Sequence, residues 1–272
     1  PYCVREIRNM FNLKTKIVVT AHAGEVLLNN NIFLNFIIKE IDSIICASPT
    51  LNKKIRKINK DIDICTKYVS NRNCVSKNRQ KKKTQLIQNG DFIFLTIARF
   101  VPKKGLTRIP NIIQSLKKFN INFKWYIVGD GPLRSEILYQ SKKFGIENDL
   151  ILTGPVEPNL VLDYLNTADL FVGLFKKTHK DIDGIPTVLL ESASSKLLIA
   201  TTSVGCISDL FNKNNCIILK ENYSDRKIAE LLNDVINNKK KYNHLSNRSF
   251  KDIQSITNYD YQINKILYAY NF

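Results

Sequence analysis

The stretch that decides the fold is residues 181–209, DIDGIPTVLLESASSKLLIATTSVGCISD. It begins with a loop that contains a glycine and a proline, and the next part, TVLLESASS, predicts a helix. The apolar run LLIAT then predicts a strand, and a second glycine turn closes the stretch. Loop, helix, strand and loop in this order form one αβ unit, so the stretch predicts a parallel sheet with crossover helices.

The start of this helix is a candidate anion site. Pro186 suits the first helical turn because its missing N–H would have no partner within the helix. The N–H groups of Ile185, Thr187 and Val188 are then expected to be unpaired, behind the flexible Gly184. Unpaired donors and the positive end of the helix dipole point the same way, so this end is expected to attract phosphate.

Two carboxylates frame the same helix start, Asp183 and Glu191, with seven residues between them. Glu191 falls more than one turn into the helix, so the two acids cannot both contact one small atom, although they could flank an extended ligand. An aspartate that caps the helix and a glutamate on its surface fit the spacing equally well, because acids are common at helix starts. The spacing leaves both interpretations open.

A second candidate site follows the strand predicted at residues 92–97, whose apolar run FIFLTI is typical of a strand buried on both faces. Arg99 and Lys104 lie on the loop that leaves this strand. A guanidinium can bind two oxygens at once and a lysine adds a point charge, so the pair suits a diphosphate. Two solvated cations are the alternative, because the whole chain is basic.

The remaining chain alternates short apolar runs with helical patterns, which predicts an α/β fold whose second part is a doubly wound parallel sheet. His22 follows the first predicted strand, where such sheets bind ligands, although a lone histidine is more often structural. A polar, lysine-rich linker is predicted at 71–85. The predicted strands are 16–20, 43–47, 62–69, 92–97, 124–128, 150–153, 169–174, a strand from Leu197, and 216–219; the predicted helices are 32–41, 51–60, one over 106–116, one ending near 144, 159–166, one through Glu191, 225–237 and 259–270.

Several segments together resemble one family. DGIPTVLLESAS is similar to the E-x7-E signature of the group 1 retaining nucleotide-sugar glycosyltransferases, which have the GT-B fold. ARFVPKKG is similar to that family's G-R-x4-K-G element, with Ala98 in place of the first glycine, and GDGP at 129–132 follows in the family's order. AHAGEV is similar to T-x-H-G-x-[DE], with Ala23 inserted. DIDGIP resembles the branch found among envelope and exopolysaccharide transferases.

The resemblance implies two Rossmann-like domains, of which the N-terminal one is incomplete in this chain. Residues 1–83 are expected to be the end of the acceptor-side domain plus the linker, with its upstream part missing. Residues 84–258 are expected to be the donor-binding domain, and 259–272 a closing helix that crosses back to the first domain. The chain starts with Pro1 and is therefore expected to be a fragment that binds donor poorly on its own.

The resemblance also assigns roles to individual residues. Arg99 and Lys104 are expected to bind the diphosphate, Glu191 the ribose, and Asp183 the sugar near its 3- and 4-hydroxyls. His22 is expected to face the acceptor and the donor sugar. An aspartate at 183 replaces the family's usual glutamate, which shortens the side chain by one methylene. The residues expected to contact the nucleotide sugar through their backbone or by packing are Gly129, Val156, Gly184, Ile185, Pro186 and Thr187.

The implied activity is transfer of a sugar from a nucleoside-diphosphate sugar to an envelope glycan or a lipid-linked acceptor. In this family, retention of the anomeric configuration is attributed to same-face attack, with the departing phosphate accepting the acceptor's proton. No cofactor is implied beyond the donor itself, with UDP- or GDP-sugar expected. The D-x-D patterns at 61–63 and 181–183 are short enough to occur by chance, and no metal is expected.

Three alternatives remain at this point. A sugar-nucleotide epimerase or a phosphorylase has the same architecture, but the first would need more acids and histidines around the sugar and the second a pyridoxal lysine. A noncatalytic nucleotide-sugar binding module fits the missing upstream part and the aspartate at 183. A nucleic-acid-binding protein is weakly supported, because aromatic residues are not interleaved with the basic runs. Nucleotide titration followed by turnover would separate these classes.

Composition limits the remaining choices. The chain of 272 residues has 41 Lys and Arg against 24 Asp and Glu, which gives a net charge of +17. Such a charge favours binding of sugar nucleotides or anionic lipid, but solvated lysines on the surface explain it equally well. The six cysteines form no C-x2-C pair, and no apolar run reaches 18 residues. Because no signal-peptide pattern is found either, we expect a cytoplasmic protein, peripheral at the inner face of the membrane.

Overall fold

The computed structural model describes residues 2–28, 32–68 and 91–270, so the linker predicted at 71–85 lies outside the described residues. The first part is a three-stranded parallel sheet with the strand order β1-β2-β3. No helix within the described ranges has both the length and the apolar character needed to cross a membrane. The elements are α1 (Tyr2–Met10), β1 (Val18–Ala21), α2 (Ala23–Leu27), α3 (Ile32–Lys39), β2 (Ser43–Cys46), α4 (Pro49–Arg56) and β3 (Asp63–Thr66).

The second part is a six-stranded sheet in which every pairing is parallel, with the order β6-β5-β4-β7-β8-β9. This is the doubly wound sheet that the sequence predicts. The strands are β4 (Phe92–Ile97), β5 (Phe123–Val128), β6 (Leu150–Gly154), β7 (Leu170–Gly173), β8 (Leu198–Thr201) and β9 (Ile217–Ile218). The helices are α5 (Ile109–Leu116), α6 (Arg134–Phe144), α7 (Pro158–Thr167), α8 (Thr187–Ser194), α9 (Asp225–Asn237), α10 (Lys239–Ile256) and α11 (Tyr259–Tyr270).

Burial on both faces explains why these strands are continuous apolar runs rather than alternating ones. Along β4, Phe94 belongs to the hydrophobic cluster on one face of the large sheet, while Ile93 and Leu95 belong to the cluster on the other face. Successive side chains of a strand point to opposite faces, so a strand covered by helices on both sides is apolar at nearly every position. The one polar residue of β4, Thr96, is buried and donates its hydroxyl to the Val172 carbonyl. The sheet is therefore a rigid base for the loops at its edge.

The strand order fixes where a ligand can bind. The chain starts the large sheet at β4, builds outward through β5 and β6, and then returns to the other side of β4 with β7. The helices that follow β4 and β7, α5 and α8, therefore pack on opposite faces of the sheet, and a crevice opens at the carboxyl ends of these two strands. In open α/β sheets this reversal point is where ligands bind.

Helices α1, α2 and α10 were not predicted from the sequence. In α10 the buried residues Leu245, Ser249 and Ile253 repeat every four positions, but one is a serine and lysines and asparagines surround them, so the stripe is weak. Helix α4 starts at Pro49 because the Ser48 hydroxyl accepts a hydrogen bond from the Leu51 N–H at 3.3 Å, and it ends at Arg56, before the predicted residue 60. Capping of this kind sets the first residue of a helix.

The two sheets are joined by specific contacts as well as by the chain. The Asp209 carboxylate, beyond β8, accepts hydrogen bonds from the Thr50 N–H at 3.0 Å and the Thr50 hydroxyl at 2.6 Å, at the start of α4. Cys206 packs into the hydrophobic cluster of the smaller sheet. Helix α11 packs on β2 and β3, where Ala269 contacts the cluster formed by Ile45 and Cys65.

Candidate functional site

A cavity of about 610 Å³ lies at the carboxyl edge of the large sheet, at the reversal between β4 and β7. This volume is within the range of sites that hold small molecules, roughly 300–1,000 Å³. The ends of β4, β5 and β6 and the starts of α7 and α8 form its walls. The lining residues are Ile97, Ala98, Arg99, Lys104, Val128, Gly129, Asp130, Pro155, Val156, Pro158, Val161, Leu162, Pro186, Thr187, Val188 and Glu191.

Two glycines let the backbone close up around this cavity. Gly129 has φ +126°, and a Cβ at this position would lie 2.1 Å from the Ala98 carbonyl oxygen. Gly105 has φ +65°, and its Cβ would lie 2.0 Å from the Leu174 carbonyl oxygen. Any side chain at either position would collide with backbone, so glycine is required. The second contact presses the loop that carries Lys104 against the end of β7.

Helix α8 points its N-terminus at the cavity. The helix starts at Thr187, and Pro186 is its N-cap residue with extended backbone angles. In the part of the chain that the structure describes, no side chain caps this helix. The N–H groups of a first turn have no partner within the helix, so those of Thr187 and Val188 remain available to an anion in the cavity.

A cluster of four charged side chains lies beside the cavity, where the loop after β4 meets the loop after β7. Lys104 Nζ lies 2.8 Å from Asp183 Oδ2, and Lys103 Nζ lies 3.2 Å from Asp183 Oδ1. Lys103 Nζ also lies 2.8 Å from Asp181 Oδ2. We call these four residues the lysine–aspartate cluster. It holds two positive and two negative charges, so each charge is balanced locally.

The lysine–aspartate cluster shifts two pKa values. Burial would lower the pKa of Lys103, but hydrogen bonds and charges from Asp181 and Asp183 outweigh burial, and the pKa lies above its ordinary value. Burial would likewise raise the pKa of Asp181, but the hydrogen bond and charge of Lys103 outweigh burial. A hydrogen bond from the Ile182 N–H and the charge of Arg99 act in the same direction, so the pKa of Asp181 is lowered. Both groups are therefore charged at neutral pH.

The structure brings most of the predicted site residues together. Those that line the cavity are Arg99, Lys104, Gly129, Val156, Pro186, Thr187 and Glu191. Asp183, Gly184 and Ile185 are outside the lining, on the adjoining loop, where Asp183 contacts Lys104. His22 is exposed and also outside the lining. Its neighbour Ala23 faces the same loop, because a Cβ on Gly184 would lie 3.1 Å from Ala23 Cβ.

Sequence reasoning missed one wall of the cavity and one charged residue. Pro158, Val161 and Leu162, on the first turns of α7, line the side next to Val156. Their i, i+3 and i+4 spacing indicates that one face of α7 is covered. The spacing does not indicate whether protein or a ligand covers that face. Lys103 was also missed, because its acidic partners, Asp181 and Asp183, lie far along the chain and only the fold brings them close.

The aspartates of the second D-x-D pattern, Asp181 and Asp183, both pair with lysines. Within residues 2–28, 32–68 and 91–270, no group of three or more histidine, cysteine, aspartate or glutamate side chains is arranged to hold a metal ion. These carboxylates are thus positioned as partners of ammonium groups.

Comparison with known proteins identifies a family. The family model described as "Glycosyl transferases group 1" matches residues 77–252, more than half of the chain. A Bacillus subtilis (strain 168) protein that carries the name teichuronic acid biosynthesis glycosyltransferase TuaC is 32% identical over 136 residues, 50% of this chain and 31% of its own length. The phosphatidylinositol N-acetylglucosaminyltransferase GPI3 subunit of Saccharomyces cerevisiae (strain ATCC 204508 / S288c) is 24% identical over 217 residues, 76% of this chain and 45% of its own length. The chain thus spans less than half the length of these curated relatives.

Solved structures show the same fold. HepE of Anabaena, crystallised with UDP and glucose, superposes with a TM-score of 0.74 at 14% identity, over 94% of this chain and 71% of that chain. Sucrose-phosphate synthase of Thermosynechococcus elongatus superposes with a TM-score of 0.78 at 12% identity, over 98% of this chain and 70% of that chain. The likeness extends over both sheets and confirms the predicted GT-B fold.

Proposed function

The chain belongs to the group 1 glycosyltransferase family, and from this premise we propose that its cavity binds a nucleoside-diphosphate sugar. We further propose that the full-length protein transfers the sugar to an envelope glycan or a lipid-linked acceptor with retention of configuration. One observation carries the proposal. Arg99, Lys104 and the N-terminus of α8 converge on a single cavity at the reversal point of the sheet.

The diphosphate is assigned to the positive side of the cavity. Breaking the bond between the anomeric carbon and phosphate builds negative charge on the leaving nucleoside diphosphate. Fixed cations and N–H groups aimed at that charge are the main source of catalysis, worth on the order of 3–4 kcal/mol for a well-placed donor. Arg99 and Lys104, on the loop after β4, and the first turn of α8 supply these groups.

The nucleoside is assigned to the part of the cavity between β6 and α8. Glu191 lies one turn into α8 from Thr187, so its carboxylate can accept hydrogen bonds from the ribose hydroxyls while the first turn binds phosphate. Val156 and the apolar start of α7 form a wall against which a base can pack. An apolar wall with a few polar groups is the usual composition of such a site.

The sugar and the acceptor are assigned to the side where the two sheets meet. Asp183 lies at the end of the loop after β7, and the turn that carries His22 faces this loop. We assign Asp183 to the sugar hydroxyls and His22 to the side where the acceptor enters. The acceptor oxygen bonds to the anomeric carbon on the same face from which the phosphate departs, and the departing phosphate takes the acceptor's proton. The anomeric configuration is then retained without a protein nucleophile.

The donor and acceptor classes are supported by similarity. HepE was crystallised with UDP and glucose, and TuaC is named for teichuronic acid biosynthesis. On these grounds we propose UDP- or GDP-sugar as the donor and a cell-envelope glycan or its lipid-linked precursor as the acceptor.

Titration calorimetry tests the shared premise of a nucleotide site. We expect the full-length protein to bind UDP or GDP more tightly than the corresponding nucleoside, because the diphosphate contributes the charged contacts. Turnover of the matching nucleotide sugar by the full-length protein, with NMR of the product's anomeric centre, then separates an enzyme from a binding module. Absence of binding to UDP, GDP and ADP would refute the proposal.

Removal of divalent metal is expected to leave activity unchanged. The charge on the leaving group is balanced by side chains and by the helix N-terminus, so the transfer requires no bound ion. The measurement is the initial rate of transfer by the full-length protein before and after dialysis against EDTA. A loss of most of the rate that Mg²⁺ or Mn²⁺ restores would show that a metal takes part.

We also propose that the protein works at the cytoplasmic side of the membrane, in contact with anionic lipid. Its net charge of +17 supports this, as do the basic residues of α4, Lys53, Lys54 and Arg56. Each basic residue near an anionic surface contributes about 1 kcal/mol to attraction at physiological ionic strength. Co-sedimentation with vesicles that contain anionic lipid is expected, and it should weaken as salt is added; equal binding to neutral vesicles would contradict this part of the proposal.

A further inference from the structure

The lysine–aspartate cluster contains a conflict that the proposed function does not resolve. Lys104 is assigned to the diphosphate, yet without ligand its ammonium is 2.8 Å from Asp183 Oδ2. The side chains of Lys104 and Asp183 are only 14% and 13% exposed. Drawing Lys104 toward phosphate would therefore weaken the pairing of a carboxylate that water barely reaches. A largely buried charge without a partner costs folding free energy.

Lys103 supplies the second partner that this carboxylate needs. Its ammonium lies 3.2 Å from Asp183 Oδ1, on the other oxygen from the one that contacts Lys104. It is itself held by Asp181 Oδ2 at 2.8 Å, and its side chain is 13% exposed. The Asp183 carboxylate is thus shared between two cations, and one of them has an anchor of its own outside the cavity.

The backbone fixes Lys103 in this position. Lys103 lies in a short 3₁₀ turn, Pro102–Lys104, that ends at Gly105. Its carbonyl oxygen accepts a hydrogen bond from the Lys176 N–H at 2.9 Å, just beyond β7. Gly105 in turn packs on the Leu174 carbonyl. The turn is therefore attached to the end of β7, which holds the Lys103 side chain near both aspartates.

We propose that Lys103 is a positioning residue that keeps the Asp183 carboxylate paired when Lys104 turns to the donor's diphosphate. Lys103 retains Asp183 through Oδ1, so Lys104 can release Oδ2 at little cost. Asp183 then stays in place as an acceptor for the sugar hydroxyls. This inference rests on the proposed function of the cavity as a nucleoside-diphosphate site.

The test is calorimetric titration of the full-length protein with UDP or GDP, whichever the wild type binds, and with the matching nucleoside. In Lys103→Met, Asp183 keeps Lys104 as its cation, so we expect diphosphate affinity to fall about ten-fold, the effect of losing one charge-assisted interaction. Affinity for the nucleoside should change less than about two-fold. Lys103→Arg, whose guanidinium can reach both carboxylates, should restore diphosphate binding.

A second substitution separates this role from a structural one. Adding Asp183→Asn to Lys103→Met removes the charge that holds Lys104, so diphosphate affinity should return to within about three-fold of the wild type. A general loss of structure would not be reversed in this way. Lys180→Met, at an exposed lysine on the loop after β7, controls for the loss of one positive charge and should bind normally.

The outcomes are distinct. If the wild type binds none of UDP, GDP and ADP, the proposed function fails and this inference fails with it. If the wild type binds but Lys103→Met binds equally well, or if Asp183→Asn does not reverse the loss, the role of Lys103 is wrong while the nucleotide site stands. Should Lys103→Met lack the native circular dichroism spectrum, Lys103→Gln takes its place in both comparisons.

Discussion

Replacing Lys104 with alanine is expected to lower the rate of sugar transfer about 10²–10³-fold, or about 3–4 kcal/mol of transition-state stabilisation. The ammonium lines the cavity next to Arg99 and the start of α8, where charge develops on the departing diphosphate. The fold should persist, because Lys103 still pairs with Asp183 after the change.

The measurement is the initial rate of the full-length protein with its nucleotide sugar, at saturating donor and at limiting donor. Glu191→Ala is the informative comparison, because loss of a ribose contact should weaken donor binding, whereas loss of Lys104 should also slow the chemical step. Lys180→Ala, at an exposed lysine on the neighbouring loop, is the matched control. Near wild-type rates in both Lys104→Ala and Glu191→Ala would remove the basis of the proposed site.

Replacing Trp125 with alanine is expected to destabilise the large sheet by about 3–5 kcal/mol. Trp125 is fully buried in β5, and its ring lies 5.0 Å from that of Phe94, centroid to centroid. Its indole N–H donates to the Thr96 hydroxyl at 3.1 Å, and that hydroxyl donates to the Val172 carbonyl at 2.7 Å. The substitution leaves a large void in the hydrophobic cluster on one face of the large sheet and removes one bond from a buried chain of hydrogen bonds.

Urea unfolding followed by far-ultraviolet circular dichroism measures this effect, since Trp125 is the single tryptophan of the chain and its fluorescence is lost in the variant. Tyr139→Ala is the matched control, because this tyrosine of α6 is 67% exposed and its loss should change stability by less than about 0.5 kcal/mol. A destabilisation below about 1 kcal/mol in Trp125→Ala would show that the core refills the space and that the packing around Trp125 is not rigid.

Much of the fold could be predicted because its signals are local. The strands of the large sheet are mostly apolar runs, as is typical of strands covered on both faces, and FIFLTI matches Phe92–Ile97. The start of α8 was signalled by Pro186 behind a glycine loop. Helix α10 was missed because its stability comes from packing on α8, α9 and β8 rather than from its own sequence.

The candidate site was predicted in part for the same reason. Arg99, Lys104 and Glu191 stand next to strand ends or helix starts, which are recognisable in sequence, and all three line the cavity. The role of Lys103 was beyond sequence reasoning. It depends on Asp181 and Asp183, which lie far along the chain and are brought close by the pairing of β4 with β7.

The sequence by itself determined the parallel α/β architecture, the membership of the family and the identity of the groups that can bind a diphosphate, because apolar runs, turns and motif residues are encoded locally. Only the tertiary structure decided which lysine pairs with which aspartate. The order β6-β5-β4-β7-β8-β9 puts the loops after β4 and β7 side by side, and Gly105 allows them to touch. Ion pairs depend on distances of a few ångströms between distant parts of the chain, and those distances are set by the packing of the whole sheet.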